Sequence, residues 1–106
     1  MTKKTPERGE VWIVDLGLAR KIRPALIIAC DFGDADRALI TVVPHTTAIR
    51  GSAYEIVLPV SFLKKGAFLV QGVTSVPLAC AVRVVGSVAP AHLEAVEVGL
   101  RSWLNL

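Results

Sequence analysis

The sequence predicts a mainly β protein, a small closed or nearly closed antiparallel barrel followed by one C-terminal α-helix. Three observations predict this class. The chain has 106 residues, of which 53% are hydrophobic and 20% charged, so we expect one core and a single domain over residues 1–106. Six short apolar runs are separated by turn residues, which is typical of strands. Only the last segment changes to the three- and four-residue spacing of a helix.

The first three predicted strands are nearly continuous apolar runs. They cover residues 9–15, 23–30 and 38–43, and the Asp- and Gly-rich segment 31–37 forms a turn. An antiparallel strand with one wet face alternates apolar and polar residues, and these runs do not. We therefore expect both faces to be covered, by the barrel interior on one side and by the helix or a second subunit on the other.

The later strands are shorter and lie between glycine, proline and lysine residues. They cover residues 53–58, 67–71 and 82–88. Gly86 interrupts the last run and predicts a bulge or bend there.

The closing segment is predicted to be an amphipathic helix. Leu93, Val96 and Leu100 recur at spacings of three and four residues, and Pro90 suits a first helical turn. Glu97 and Arg101 are four residues apart, so we expect them to pair on the exposed face.

The composition indicates the cellular compartment of the protein and the kinds of partner that it can bind. No apolar run approaches the ~18 residues that a membrane helix needs, and the polar opening lacks the apolar core of a secretory signal. Cys30 and Cys80 are 50 positions apart, with no CxxC or Cys/His cluster, so we expect reduced thiols and no metal or other cofactor. These observations together predict a cytoplasmic protein that does not enter a membrane. A formal net charge of +3 permits an anionic partner, and the high apolar content predicts a homodimer.

A basic segment at the start of the second strand is suited to binding phosphate. Arg20, Lys21 and Arg23 stand within four positions. A guanidinium binds phosphate through two N–H groups, and Pro24 keeps the backbone extended directly after Arg23. The alternative is a solvated loop whose charges keep the strand edge soluble.

A second polar segment, Pro44-His45-Thr46-Thr47, follows the third strand. With a side-chain period of two, His45 and Thr47 share a face. His45 is the one side chain nearby that ordinarily titrates near neutral pH. The alternative is a strand end whose hydroxyls bind local backbone groups.

Together the two segments suit RNA cleavage. RNA carries its own nucleophile, the 2′-OH, so the protein needs to position it, accept its proton and stabilise charge on phosphorus. Arg23 would neutralise the phosphorane, Thr47 would hydrogen-bond a phosphoryl oxygen and His45 would act as the base. DNA lacks the 2′-OH and would be spared.

The order of these segments resembles the MazF/PemK family of toxin endoribonucleases of type II toxin–antitoxin systems. The resemblance rests on GEVWIVDL at 9–16, RPALII at 23–28 and VVPHTT at 42–47, and it extends to the closing helix at 90–106. It implies an SH3-like β-barrel with a C-terminal helix, a homodimer and a cognate antitoxin protein. It also implies metal-independent cleavage of single-stranded RNA to 2′,3′-cyclic phosphate and 5′-hydroxyl ends.

The resemblance also implies site residues. The essential arginine of the family falls on Arg23, and its essential threonine or serine falls on Thr47, with Thr46 as the alternative register. The glutamine often found after the fifth strand falls on Gln71. With the residues singled out from the two polar segments, the candidate catalytic residues are Arg23, Thr47 and His45, and the candidate substrate-binding residues are Thr46, Arg20, Lys21, Gln71 and Arg50.

Three departures from the family pattern stand out. The loop at 17–22 is short, so the choice of substrate can differ. Val73 and Val76 stand where the arginine and aspartate of Q-x-R-x-x-D would be. His45 occupies a position that is usually apolar, and we expect it to compensate by supplying a base.

Two other functions stay open from the sequence. CcdB-like gyrase-inhibiting toxins use a tryptophan near the chain end, where this chain has Trp103. Trp103 also falls on the apolar stripe of the helix, which predicts packing against the barrel. The second alternative is a degenerate member that binds RNA without cleaving it, because Val73 and Val76 replace polar residues of the family pattern.

Overall fold

The computed structural model describes residues 4–106, which form seven strands and one α-helix. The strands are β1 (Glu10–Asp15), β2 (Ile22–Ala29), β3 (Leu39–Thr46), β4 (Glu55–Val57), β5 (Ala67–Leu69), β6 (Thr74–Pro77) and β7 (Ala81–Ser87), and the helix is α1 (Pro90–Leu104). Two 3₁₀ turns, Val70–Gly72 and Leu78–Cys80, follow β5 and β6. The predicted class, mainly β with a C-terminal helix, is confirmed.

All strand pairs are antiparallel, and β3 is the central strand. The order is β4-β5-β3-β2-β1-β7, and β6 pairs with β3 beyond the end of β5. Among the described residues β4 and β7 do not pair, so hydrogen bonds do not close the sheet into the expected barrel. The 3₁₀ turn Leu78–Cys80 instead carries the chain from β6, on one side of the curled sheet, to β7 on the other.

The sheet buries a separate apolar cluster on each face. The inner cluster consists of Trp12, Val14, Ala25, Ile27, Ile40, Val42, Val76 and Ala81. The outer cluster consists of Val11, Leu26, Val43, Phe68, Val70, Val96 and Leu100. Successive residues of β1, β2 and β3 alternate between the two clusters, and α1 covers the outer one. The expectation that both faces are covered is therefore confirmed. Cys30 and Cys80 are free and half-buried against the inner cluster.

β3 is longer than predicted and carries the polar segment inside the sheet. It runs through Pro44 to Thr46, because Ala25 of β2 pairs opposite Pro44 and Phe68 of β5 pairs opposite His45. The fixed φ of proline is compatible with this extended backbone. β4 and β5, with three residues each, are shorter than predicted.

β6 has no counterpart among the predicted strands. Its sequence, TSVP, neither alternates nor forms an apolar run, and Pro77 argues against a strand. Pairing with β3 creates it, and the hydroxyls of Thr41 and Ser75 lie 2.8 Å apart across that pair.

The bulge predicted near Gly86 is present. Val11 pairs with Gly86, but the next residue, Trp12, pairs with Val84. Val85 is therefore the extra residue of β7 at this point.

The helix α1 begins at Pro90 as expected and is followed by a left-handed Asn105 (φ 59°). The predicted pairing of Glu97 with Arg101 is wrong. The Glu97 carboxylate binds the guanidinium of Arg8, because the segment before β1 passes beside the helix. No helix among residues 4–106 is long and apolar enough to cross a membrane.

Trp103, near the end of α1, is only partly packed, and it belongs to neither apolar cluster. Its ring meets Tyr54 edge-on, with the ring centroids 5.1 Å apart. The residue keeps 39% of its surface exposed.

Candidate functional site

A cavity of about 600 Å³ lies at the rim of the sheet, where β2 begins and β3 ends. Because it wraps around strand ends, side chains from both faces of the sheet reach it. Arg23, His45, Thr46 and Thr47 all line it. The two segments that the sequence singled out therefore meet in one cavity.

Arg23 is the most constrained cation of this cavity. It is half-buried in β2 opposite Val14, and its Nε is buried without a hydrogen-bond partner among the described residues. A buried donor without an acceptor costs about 1–3 kcal/mol. An anion that reaches the guanidinium would supply the missing acceptor, so Arg23 is well suited to a phosphate.

The geometry favours Thr46 over Thr47 as the hydroxyl that works with Arg23. The β2–β3 register pairs Ala25 with Pro44, and its continuation by two residues places Arg23 opposite Thr46. The Thr46 hydroxyl accepts a hydrogen bond from the backbone N–H of Ala48 (3.1 Å), which leaves its own proton available. Thr47 is exposed beyond the end of β3. The family resemblance places the essential hydroxyl on Thr47, with Thr46 as the alternative register, and the end of β3 at Thr46 is the reason to prefer the alternative.

His45 is held in place by packing. Only 5% of its surface is exposed, and its ring lies edge-on to that of Phe68 with the centroids 5.0 Å apart. Burial lowers the pKa of His45 below its ordinary value. The imidazole is thus neutral at physiological pH, a state that can accept a proton but adds no positive charge.

Four cationic side chains surround the cavity. They are Lys21, Arg23, Lys64 and Arg83, and the described residues of the lining include no aspartate or glutamate. The chain as a whole has nine acidic residues and a formal net charge of only +3. Charge of one sign lining a cleft focuses the field and raises the local concentration of an anionic ligand.

Two of these cations were missed from the sequence. Lys64 lies in the loop between β4 and β5, and Arg83 stands in the apolar run VRVVG. A single arginine inside such a run is the signal that could have drawn attention to Arg83. Lys21, which was predicted, has a left-handed backbone (φ 60°) directly before β2.

Three predicted substrate-binding residues lie outside the cavity lining. The Arg20 guanidinium donates to the carbonyl of Gly72 (2.6 Å), and Gln71 is exposed in the 3₁₀ turn after β5. The backbone N–H of Arg50 donates to the Glu55 carboxylate (3.0 Å). Their contact with substrate stays a prediction for RNA that extends beyond the cavity.

The two valines that depart from the family pattern are packing residues. Val76 is buried in the inner cluster, and Val73 is half-buried against the outer cluster. Neither lines the cavity. Polar groups for chemistry must therefore come from β2, the end of β3 and the neighbouring loops.

Comparisons with known proteins agree with this fold. A sequence model of the family described as "PemK-like, MazF-like toxin of type II toxin-antitoxin system" matches residues 7–104. Among solved structures, MazF from Deinococcus radiodurans is similar with a TM-score of 0.83 and 20% identity over 98% of this chain and 100% of that chain. An endoribonuclease from a mycobacterial species is similar with a TM-score of 0.78 and 22% identity over 97% of this chain and 94% of that one.

A further similar structure contains two proteins. It is an endoribonuclease in complex with its cognate antitoxin, also from a mycobacterial species. The TM-score is 0.80 and the identity is 24%, over 96% of this chain and 97% of that chain.

Proposed function

Since this chain belongs to the PemK-like, MazF-like toxins of type II toxin–antitoxin systems, we propose that it is an endoribonuclease that cleaves single-stranded RNA. The observation that carries the proposal is the meeting of Arg23, Thr46 and His45 in a cavity whose charged side chains are all cationic. The solved structures named as endoribonucleases share the fold and support it. The whole chain acts as one toxin domain, because the two apolar clusters share β1, β2 and β3.

Each side chain of the site has one role in the cleavage reaction. The 2′-OH attacks the adjacent phosphorus, so a 2′-O–P bond forms and the P–O5′ bond breaks. His45 accepts the 2′ proton and the leaving 5′ oxygen takes a proton from water, and the hydroxide so formed takes the proton back from His45, which regenerates the base. Arg23 neutralises charge on the phosphorane, and the Thr46 hydroxyl donates to a phosphoryl oxygen, with Thr47 beside it. The products are a 2′,3′-cyclic phosphate and a 5′-hydroxyl, and no step requires a metal.

The products test this proposal directly. A long unstructured RNA incubated with the protein in EDTA should be cut, and mass spectrometry of the fragments should find cyclic phosphate and 5′-hydroxyl ends. The same sequence as DNA, or as RNA methylated at every 2′ oxygen, should stay intact because the nucleophile is missing. Cleavage of the DNA, or cleavage that depends on added Mg²⁺, would contradict the mechanism. Tight binding of RNA without any cleavage would instead identify a degenerate member.

The role of His45 predicts a particular pH dependence. Because burial lowers its pKa, the neutral base persists to a pH below the ordinary value near 6.5. The wild-type rate should rise with pH up to that lowered pKa and then level off. His45→Gln should remove this acid limb and reduce kcat by roughly 10²–10⁴-fold, the usual contribution of a general base. An unchanged pH profile in the variant would refute the role.

The same shift affects folding. The unfolded chain binds a proton at His45 more readily than the folded one, so stability is lost as pH falls below about 6.5. Urea unfolding of the wild type and of His45→Gln across this window should show a smaller pH dependence in the variant.

We further propose a cytoplasmic homodimer that a cognate antitoxin inhibits. Leu18, Ile22 and Leu106 are exposed apolar side chains that a second subunit would cover if they lie in its interface. The cationic cavity suits an acidic antitoxin segment, and a similar structure contains an endoribonuclease with its antitoxin. Sedimentation equilibrium tests the dimer. Copurification with a small acidic protein from the neighbouring reading frame, and its loss on adding RNA, test the partner.

A further inference from the structure

We propose that Arg83 forms a second phosphate subsite, which binds the RNA backbone phosphate next to the scissile one. This inference rests on the proposed endoribonuclease function. It adds a requirement on the substrate, which must carry at least two consecutive backbone phosphates for tight binding. A dinucleoside monophosphate has only one phosphate and would be a poor substrate.

A second bulge in β7 sets the face from which Arg83 reaches the cavity. Ile13 of β1 pairs with Arg83, but the next residue, Val14, pairs with Ala81. Val82 is therefore an extra residue in β7.

Because of this extra residue, the side chains that follow it in β7 point to the opposite face from the one expected in a regular strand. Ala81 belongs to the inner cluster, and Val84 packs against the same cluster although it lies three positions later. In a regular strand Arg83 would share the face of Ala81 and point into the curled sheet. The bulge places it on the other face, where it lines the cavity together with Val85.

Arg83 and Arg23 reach the cavity from opposite faces of the sheet, since Arg83 shares the face of Val85 and Arg23 shares that of Ala25. Two cations so separated suit two phosphates rather than one. Ile13 pairs with Arg83 on one side and with Pro24, the neighbour of Arg23, on the other. With strands ~4.8 Å apart, the backbones of β7 and β2 are separated by about 10 Å across β1.

The cavity also has an apolar part. Ile13, which pairs with Arg83 on one side and Pro24 on the other, lines it together with Val85 and Phe62. A nucleoside can lie on it while the phosphate on each side meets a guanidinium. Phe62 also offers an aromatic ring for a base.

Arg83 is available for an anion. Among residues 4–106 the ion pairs are Lys4–Glu10 and Arg8–Glu97, and neither involves a cation of the cavity. Arg37 provides a matched control, because it is an exposed arginine in the turn before β3 and does not line the cavity.

Binding is the first arm of the test. The probe is a short RNA methylated at every 2′ oxygen, which cannot be cleaved, and its Kd is measured over a series of salt concentrations. Arg83→Gln should weaken binding about tenfold at low salt, in keeping with loss of one charged hydrogen-bonding partner. It should also lower the slope of log K against log salt by about 0.7, the value for one phosphate of a single strand. Arg37→Gln should change neither quantity.

Kinetics are the second arm. Once the cleavage site is mapped, kcat/KM for Arg83→Gln should fall about tenfold. The fall should come from a higher KM with kcat unchanged, because Arg83 stabilises the bound ground state and the transition state equally. Replacing the neighbouring phosphate by a neutral methylphosphonate should weaken the wild type by a similar factor and leave Arg83→Gln unaffected. Circular dichroism and thermal unfolding confirm that the variant is folded.

The outcomes separate this inference from the proposed function. RNA cleavage that depends on Arg23, with Arg83→Gln matching Arg37→Gln in every measurement, overturns the subsite and leaves the function intact. A reduced salt slope in Arg83→Gln without any RNA cleavage rejects the proposed function and supports the phosphate contact. A fall confined to kcat, with binding unchanged, also overturns the subsite.

Discussion

Replacing Arg23 by alanine is expected to lower the rate of RNA cleavage by on the order of 10²-fold or more, because a preorganised donor to the transition state is lost. The same change should leave the free protein as stable as before or slightly more stable. Its Nε is buried without an acceptor, and removing such a donor relieves a cost of about 1–3 kcal/mol. Single-turnover cleavage and urea unfolding measure the two effects. Arg23→Lys, which keeps the charge but not the planar fork, should recover only part of the activity.

The neighbouring threonines provide the matched comparison for this prediction. Thr46→Ala should reduce cleavage more than Thr47→Ala, because the β2–β3 register brings Thr46 opposite Arg23 while Thr47 is exposed. Thr46→Ser retains the hydroxyl and should retain activity. A larger loss of cleavage activity in Thr47→Ala than in Thr46→Ala would show that Thr47 supplies the hydroxyl that binds the phosphoryl oxygen. Full activity in Arg23→Ala would show that this cavity is not the site of RNA cleavage.

Gly66→Ala is expected to damage both stability and activity. A Cβ at this position would collide with the backbone carbonyl oxygen of Thr46 and would lie 2.7 Å from Cε1 of His45. A carbonyl within a strand cannot turn away without breaking the pairing of Thr46 with Ala67. We expect a loss of about 1–3 kcal/mol in the free energy of unfolding, as in other overpacked sites. For a domain of this size that lowers Tm by roughly 4–8 °C per kcal/mol.

Activity should fall further than stability explains. His45 and Thr46 both contact the position of the new methyl group, so the displaced groups are those of the site itself. Cleavage is measured well below Tm, where the variant stays folded. Gly33→Ala is the control, since its added Cβ would lie 3.8 Å from its nearest neighbour outside the adjoining residues, an oxygen of Asp36. Wild-type stability and activity in Gly66→Ala would show that β5 can shift without affecting the site.

Much of the fold could be predicted because it depends on local pattern. The apolar runs at 9–15 and 23–30 correspond to β1 and β2, and the helical spacing and Pro90 predicted α1. β6 could not be predicted, since its four residues become a strand only by pairing with β3. Glu97 could not be assigned to Arg8 either, because the two residues are 89 positions apart.

The candidate site was predicted in part. Arg23, His45 and both threonines were identified from their residue types and order, and the structure brings them into one cavity. Arg83 was not, because the face that it occupies depends on an extra residue in β7 that only the strand pairing reveals. The choice between Thr46 and Thr47 depended on the last residue of β3, which the pairing with β5 decides.

By itself the sequence determined which segments are extended, which one is helical, and which residue types are available for phosphate chemistry. These properties follow from side-chain period, turn residues and proton affinity, which act within a few positions of the chain. Only the tertiary structure decided which face each polar side chain reaches, because strand register and a single extra residue in β7 invert faces without any change in composition.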